Sequence, residues 1–189
     1  MRPHVIVFNG VGSTGKSSAA KALQTLASER FLHVQGDVFL DMIPPRLWGD
    51  PDGIIFERSE KNGDSLIEIS MGAAVKRLME GFRQSVGALA RAGNSCIVDD
   101  VMLSPEDQQS YRAIGADARL SFVALHAPLD VLEQRERDRG DRLIGLARWQ
   151  FGRVHHGIEY DFEVDTSTQD ANAVARRIAA ALHLSVIGN

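Results

Sequence analysis

Residues 10–17 read Gly10-Val11-Gly12-Ser13-Thr14-Gly15-Lys16-Ser17, the pattern G-x-x-x-x-G-K-S. The apolar run Val5-Ile6-Val7-Phe8 comes directly before it and has the composition of a strand buried on both faces. Behind it, from about Lys16 to Arg30, Ala19, Ala22, Leu23, Leu26 and Ala27 recur at a spacing that turns them to one side of a helix. Strand, glycine loop and helix in that order are the setting in which the pattern forms a phosphate-binding P-loop. Gly10, Gly12 and Gly15 allow a tight turn and bring bare N–H groups onto phosphate oxygens, with Ser13 and Thr14 in the same nucleotide-binding loop. The helix N-terminus adds partial positive charge. Lys16 can reach β- and γ-phosphates, and the Ser17 hydroxyl can ligate Mg²⁺.

The chain of 189 residues suits one domain with room for a sizeable core. It is 44% hydrophobic and 24% charged, with a formal net charge of −4, so it lacks the basic footprint of a nucleic-acid binder. The single cysteine, Cys96, rules out an internal disulfide and fits a reducing compartment. Its apolar neighbours mark it as a core thiol. With no signal-peptide pattern and no apolar run of membrane-spanning length, a soluble cytoplasmic protein is expected.

Along the chain, Phe31–Val34, Cys96–Val98, Leu120–Leu125 and the alternation Tyr160, Phe162, Val164 read as further strands. Helices are expected over Val38–Ile43, from Ser70 to Ala92 with Gly93 as the stop, from Ser104-Pro105, from Pro128, over Leu143–Val154, and at the C-terminus. Ser167 and Asp170 make a plausible capping box for the last helix. Arg46 to Asp64 reads as an irregular stretch with a small strand at Ile54-Ile55-Phe56. Its length favours a functional loop over a plain link. The whole is an α/β domain with a parallel sheet of about five strands and helices on both faces.

Ligands of such sheets gather at the carboxyl ends of strands, where acidic residues recur. Asp99-Asp100 follows Ile97-Val98 as a Mg²⁺-holding carboxylate follows its apolar strand, and either can face Ser17. Asp37, after the second strand, is a candidate base for a substrate hydroxyl or, equally, a helix N-cap. Arg135, Arg139 and Arg142 stand at i, i+4 and i+7, on one face of a continuing helix. That is the layout of a lid closing cations over a phosphoryl group, with Gly140 as hinge. The plain alternative is a solvated helix paired with Glu133, Glu136, Asp138 and Asp141. His155-His156 and Trp149 lack a further ligand at metal spacing and read as packing or capping residues.

Asn9-Gly10 through Ser17, Asp37, Val98-Asp99-Asp100-Val101, Arg139-Gly140-Asp141-Arg142, Gly157-Ile158-Glu159-Tyr160-Asp161 and Val164-Asp165-Thr166 together resemble chloramphenicol phosphotransferase, in order and over nearly the whole chain. The resemblance implies a P-loop nucleotide-kinase-like fold, a three-layer sandwich, in a single domain over 1–189. It implies an ATP-dependent O-phosphotransferase acting on a small-molecule hydroxyl acceptor, with ATP and Mg²⁺ as cofactors and antibiotic resistance as the setting. It implies that Asp37 is the base, that Arg135, Arg139 and Arg142 belong to a lid near 133–145, and that Thr166, Ser167 and Thr168 lie near the adenine. The loop interior Val11-Gly12-Ser13-Thr14 and, mainly, Arg46 to Ser65 depart from the family pattern, and the segment near 44–68 is expected on the substrate side. Neither nucleic acid nor membrane is expected as a partner, and a homo-oligomer is compatible with the sequence.

Besides a nucleic-acid end kinase, against which the acidic balance argues, two other readings compete. One is a kinase of another alcohol, such as the nucleotide-sugar kinases of zeta toxins, which share the P-loop and a following aspartate. The other is a nucleotide-binding switch without an acceptor. The guanine motif N-K-x-D and the serine-glycine-glycine signature of transport ATPases are both missing from the sequence.

Overall fold

The run before the glycine loop forms β1 (His4–Asn9), the middle strand of the main sheet. In the computed structural model, which describes residues 2–61, 64–114, 117–140 and 143–188, the elements follow in chain order. They are α1 (Lys16–Leu26), β2 (Phe31–Gln35), α2 (Gly36–Leu40), a 3₁₀ turn (Pro45–Leu47), β3 (Ile54–Lys61), β4 (Asp64–Met71), α3 (Ala73–Arg91) and β5 (Ser95–Asp99). Then come α4 (Pro105–Ile114), β6 (Arg119–His126), α5 (Leu129–Arg139), α6 (Leu146–Phe151), β7 (Phe162–Asp165) and α7 (Ala171–Ala181). Five strands pair in the order β2-β5-β1-β6-β7, all parallel. The expected α/β fold with five parallel strands is therefore the one observed.

Strand alternation builds the three layers. Ile6 and Phe8 of β1 pack with Ala19, Ala20 and Leu23 of α1 and Val174 and Ile178 of α7. Val5 and Val7 point the other way, into a cluster with Phe82 and Val86 of α3 and Tyr111 of α4. Cys96 belongs to this second layer, fully buried, and burial pushes its thiol up to about 11. Helix ends follow the expected chemistry at Gly93, whose φ of 90° closes α3 through bonds from Gly93 N–H to Ala90 O and from Asn94 N–H to Leu89 O.

The region 44–72 differs most from expectation. β3 and β4 form an eight-residue antiparallel hairpin, with Ile54 paired to Met71 and Lys61 to Asp64. Asn62-Gly63, the strongest short hairpin signal, separates the paired ends in sequence. Met71 therefore lies on a strand with Ile69 and Ile67, and the helix begins at Ala73, not near Ser70. Hairpin and body share a separate apolar cluster built on Ile43, Ile54 and Val75.

Three smaller expectations also change. The last helix is capped by Asp170 itself, whose Oδ1 accepts from Ala173 N–H, and not by a box starting at Ser167. The segment Leu143–Val154 is helical only over Leu146–Phe151. α5 stops at Arg139 because Gly140 adopts a left-handed φ of 68°. The face drawn through Arg135, Arg139 and Arg142 is thus not one continuous helix, and Arg142 lies outside the described residues. Among the described residues, no helix is long and apolar enough to cross a membrane.

Candidate active site

The P-loop is held from several sides. A Cβ on Gly10 would sit 2.6 Å from Leu125 O, so only glycine lets the loop leave β1 against β6. Thr14 turns inward and donates to Val11 O (2.8 Å). Lys16 Nζ donates to Gly10 O (2.7 Å) and Val11 O (3.2 Å) and stands 3.9 Å from Asp99 Oδ1. Asn9, buried at the strand end, was not singled out by chemistry. Its Nδ2 donates to Val154 O (2.8 Å) and Tyr160 Oη (2.7 Å), and its Oδ1 accepts from Met102 N–H (2.8 Å).

The two aspartates after β5 divide. Ser17 Oγ donates to Asp99 Oδ2 at 2.5 Å, and His33 Nε2 of β2 lies 3.8 Å from the same oxygen. Burial alone would raise the Asp99 carboxyl, but the His33 ring, the Lys16 ammonium and the Ser17 hydroxyl together hold it below its ordinary value. Asp100 turns away from Ser17. Its Oδ1 accepts from Val101 N–H (2.7 Å), its Oδ2 accepts from Tyr111 O–H (2.8 Å), and Arg83 Nε stands 3.5 Å from Oδ2. Burial dominates there and raises the carboxyl, against Arg83 and Tyr111. Oxygen donors suited to Mg²⁺ thus meet at Ser17 and Asp99, whereas both Asp100 oxygens are engaged.

A cavity of about 610 Å³ opens from the loop. Gly12, Lys16, Ser17, Asp99 and Asp37 line it, as do Trp48, Phe56, Ile69 and Met71 from the turn and hairpin, and Trp149 and Gln150 from α6. The Trp48 and Phe56 rings stack at 6.0 Å and 10°. Asp37 is exposed in the first turn of α2, whose N-cap is Gln35; the N-cap reading of Asp37 is not what the backbone adopts. Trp149 is a wall of this cavity and more than a packing residue.

A second groove of about 490 Å³ runs on the other side of the loop and shares Ser13, Gly15, Ser18 and Arg139 with the first. Thr166 lines it, together with Gln169, Ala171 and Val174. Ser167 and Thr168 do not: Ser167 folds back onto Asp165, and Thr168 is exposed. Nothing in the sequence singled out Gln169, Ala171 or Val174. Thr166 Oγ1 bonds to Thr14 O (2.8 Å) and His126 O (3.1 Å), tying the loop to β6.

Arg135 lines this groove and donates through Nη2 to Thr166 O at 2.7 Å. Arg139 lines both spaces. Glu136, expected to pair on the surface, is buried. Its two oxygens accept from Gly145 N–H and Ala147 N–H, each at 2.8 Å, and cap α6. Glu133 bonds Arg148 Nε at 2.7 Å. His155, behind the loop, is driven down to about 4 by burial and by His126. Tyr160 Oη, which accepts from Asn9 Nδ2, also makes a 2.9 Å hydrogen-bond contact with His155 Nδ1.

Sheet order and loop give the chain the fold seen in P-loop kinases. It is similar to an unliganded sugar kinase from Janibacter sp. HTCC2649, at 16% identity, 96% and 95% coverage of the two chains and a TM-score of 0.65. It is also similar to the APS kinase of Mycobacterium tuberculosis in complex with AMPPNP and APS, at 15% identity, 96% and 98% coverage and a TM-score of 0.64. The family described as chloramphenicol phosphotransferase-like protein matches residues 3–183, and the chain belongs to that family. A protein of M. tuberculosis strain H37Rv, named provisionally as an O-phosphotransferase, is 28% identical over 179 residues, covering 92% of this chain and 80% of the relative. Family and fold together support a nucleotide-binding phosphotransferase of the kinase type.

Proposed function

We propose that the protein transfers the γ-phosphoryl group of ATP to a hydroxyl of a small molecule with an apolar body, and that chloramphenicol is the first acceptor to test. One observation carries this reading: a single cavity joins the P-loop, Asp99 and Asp37 to the stacked Trp48 and Phe56 and the apolar hairpin wall. A nucleotide sugar would need cations along its diphosphate. The cations lining the cavity among the described residues are Lys16 and Arg139, and the transferring phosphate needs both. The 44–68 segment is the acceptor wall of the 1–189 domain, and 133–145 is its lid.

In this reading the triphosphate lies along the loop N–H groups with its base in the groove of Arg135, Thr166 and Gln169. The similar APS kinase is in complex with AMPPNP and APS, which supports nucleotide binding here. Ser17 and Asp99 would hold Mg²⁺, whose charge neutralises the β- and γ-phosphate oxygens. Asp37 accepts a hydrogen bond from the acceptor hydroxyl and takes its proton as the new O–P bond forms. The bond from the γ-phosphorus to the bridging oxygen breaks, and its electron pair leaves on ADP. Lys16 and Arg139 balance the charge on the phosphoryl oxygens, with Arg142 placed by sequence in the same lid. The reaction takes place in the cytoplasm without nucleic acid or membrane.

The test is ADP release from ATP and Mg²⁺ with a panel of chloramphenicol, other aromatic alcohols, free sugars and nucleotide sugars, followed by mass spectrometry of the acceptor. Phosphorylated apolar alcohols are expected. Turnover confined to nucleotide sugars, or ATP hydrolysis with every acceptor unchanged, would overturn the reading.

A further inference from the structure

Gln150 stands in the last turn of α6, is 8% exposed, and lines the cavity. Its Oε1 accepts from Gly12 N–H at 2.6 Å. A backbone N–H can only donate, so this contact fixes which end of the carboxamide faces the loop. Nε2, the donor end of the same planar group, has no protein partner among the described residues. Gly12 leaves room for the contact, since a Cβ there would lie 3.2 Å from Gln150 Oε1. α6 is itself fastened to α5 through Glu136 and Glu133, so the carboxamide is placed by the lid on one side and the loop on the other.

Gly12 lines the acceptor cavity and not the groove of the nucleotide base, unlike Ser13 and Gly15, which line both. The part of a bound triphosphate that reaches the acceptor side is its terminal phosphoryl group, which ADP lacks. We propose that Gln150 reads the γ-phosphoryl group: held by Gly12 through Oε1, it offers Nε2–H to a γ-oxygen and lets the site tell ATP from ADP while aligning the phosphoryl with the acceptor. The inference rests on the ATP-dependent reading above. A neutral amide suits the task, because a carboxylate of the same shape could still accept from Gly12 but would repel the phosphate.

The test compares ATP-analogue (AMPPNP) and ADP affinities, with Mg²⁺, in the wild type, Gln150→Glu and Gln150→Met. In Gln150→Glu, AMPPNP affinity should fall about tenfold or more while ADP affinity changes by less than about twofold. Gln150→Met keeps the volume and adds no charge; its preference for AMPPNP should fall about fivefold, which also covers failure of the charged variant to fold. A part that is only structural would move both nucleotides together. An unchanged AMPPNP-to-ADP ratio in the folded variants overturns the proposal alone. A wild type that binds neither nucleotide overturns it together with the ATP-dependent reading.

Discussion

Replacing Asp99 and Asp100 in turn by asparagine should separate chemistry from stability. Asp100 is 3% exposed and accepts on both oxygens, from Val101 N–H and from Tyr111 O–H, with Arg83 beside it. Asparagine has one acceptor oxygen, so its NH₂ must face either a buried N–H or the Tyr111 and Arg83 donors. Removing one partner of a buried ion pair costs about 3–5 kcal/mol. Arg83 keeps Asp107 at 2.8 Å, which favours the lower end, about 3 kcal/mol. In a chain of this size about 1 kcal/mol moves Tm by about 2–4 °C, so Asp100→Asn should melt about 6–12 °C lower. Asp99→Asn can still accept from Ser17 and should melt within about 3 °C of the wild type. It loses the charge facing Lys16 and Ser17, and turnover should fall on the order of 10²-fold. Calorimetric melting and coupled ADP release measure both quantities on both variants. An Asp100→Asn protein with wild-type Tm and no turnover would refute the division, as would a fully active Asp99→Asn.

Asp37→Asn should keep Tm and nucleotide affinity but lower kcat by about 10²–10⁴; unchanged kcat would remove Asp37 as the base. Ser13 holds a left-handed φ of 67°, which costs a non-glycine residue about 1–2 kcal/mol. Glycine gives back about 0.5–1 kcal/mol through its own entropy, so Ser13→Gly should raise Tm by roughly 1–4 °C, and a lower Tm would show that the serine is held by something other than backbone strain. His4 and His155 are both lowered to about 4, chiefly by burial, from the ordinary 6.5. Between those values the unfolded chain binds more protons, so stability is full above pH 6.5 and falls as pH drops toward 4. Urea titrations should show that slope, and His155→Gln should flatten it. Limited proteolysis near Gly140 should slow when AMPPNP and Mg²⁺ bind, and equal cleavage rates would count against a closing lid.

The sheet was legible because its central strands β1, β5 and β6 are largely apolar runs and β7 alternates, and the P-loop because its spacing is rigid. The hairpin was harder. Ile67, Ile69 and Met71 do alternate, but Met71 also fits the helical stripe that follows, and one residue can satisfy both periods. The site divides the same way. Lys16 and Ser17 take their places from the fixed spacing of the loop, and Asp99 joins them because the apolar run of β5 pairs in parallel with β1. Gln150 owes its place to Gly12 of the distant loop and Glu136 to N–H groups at the start of the next helix, and a polar residue on a charged helix carries no mark of what it will touch. Asp100 could not be told from Asp99 because the Arg83 and Tyr111 that claim it lie 17 and 11 residues away on other helices.

The hairpin wall rests on its own apolar cluster, joined to the main layers through residues such as Met79, which packs against both. Side chains such as Phe56 and Ile69 can therefore be exchanged at the expense of that small cluster alone, while the sheet that carries the phosphate loop stays intact. A scaffold divided in this way can drift in what it recognises without losing what it does. Libraries confined to Trp48, Phe56 and Ile69 should yield folded proteins at high frequency, and altered acceptor range is the trait to select from them.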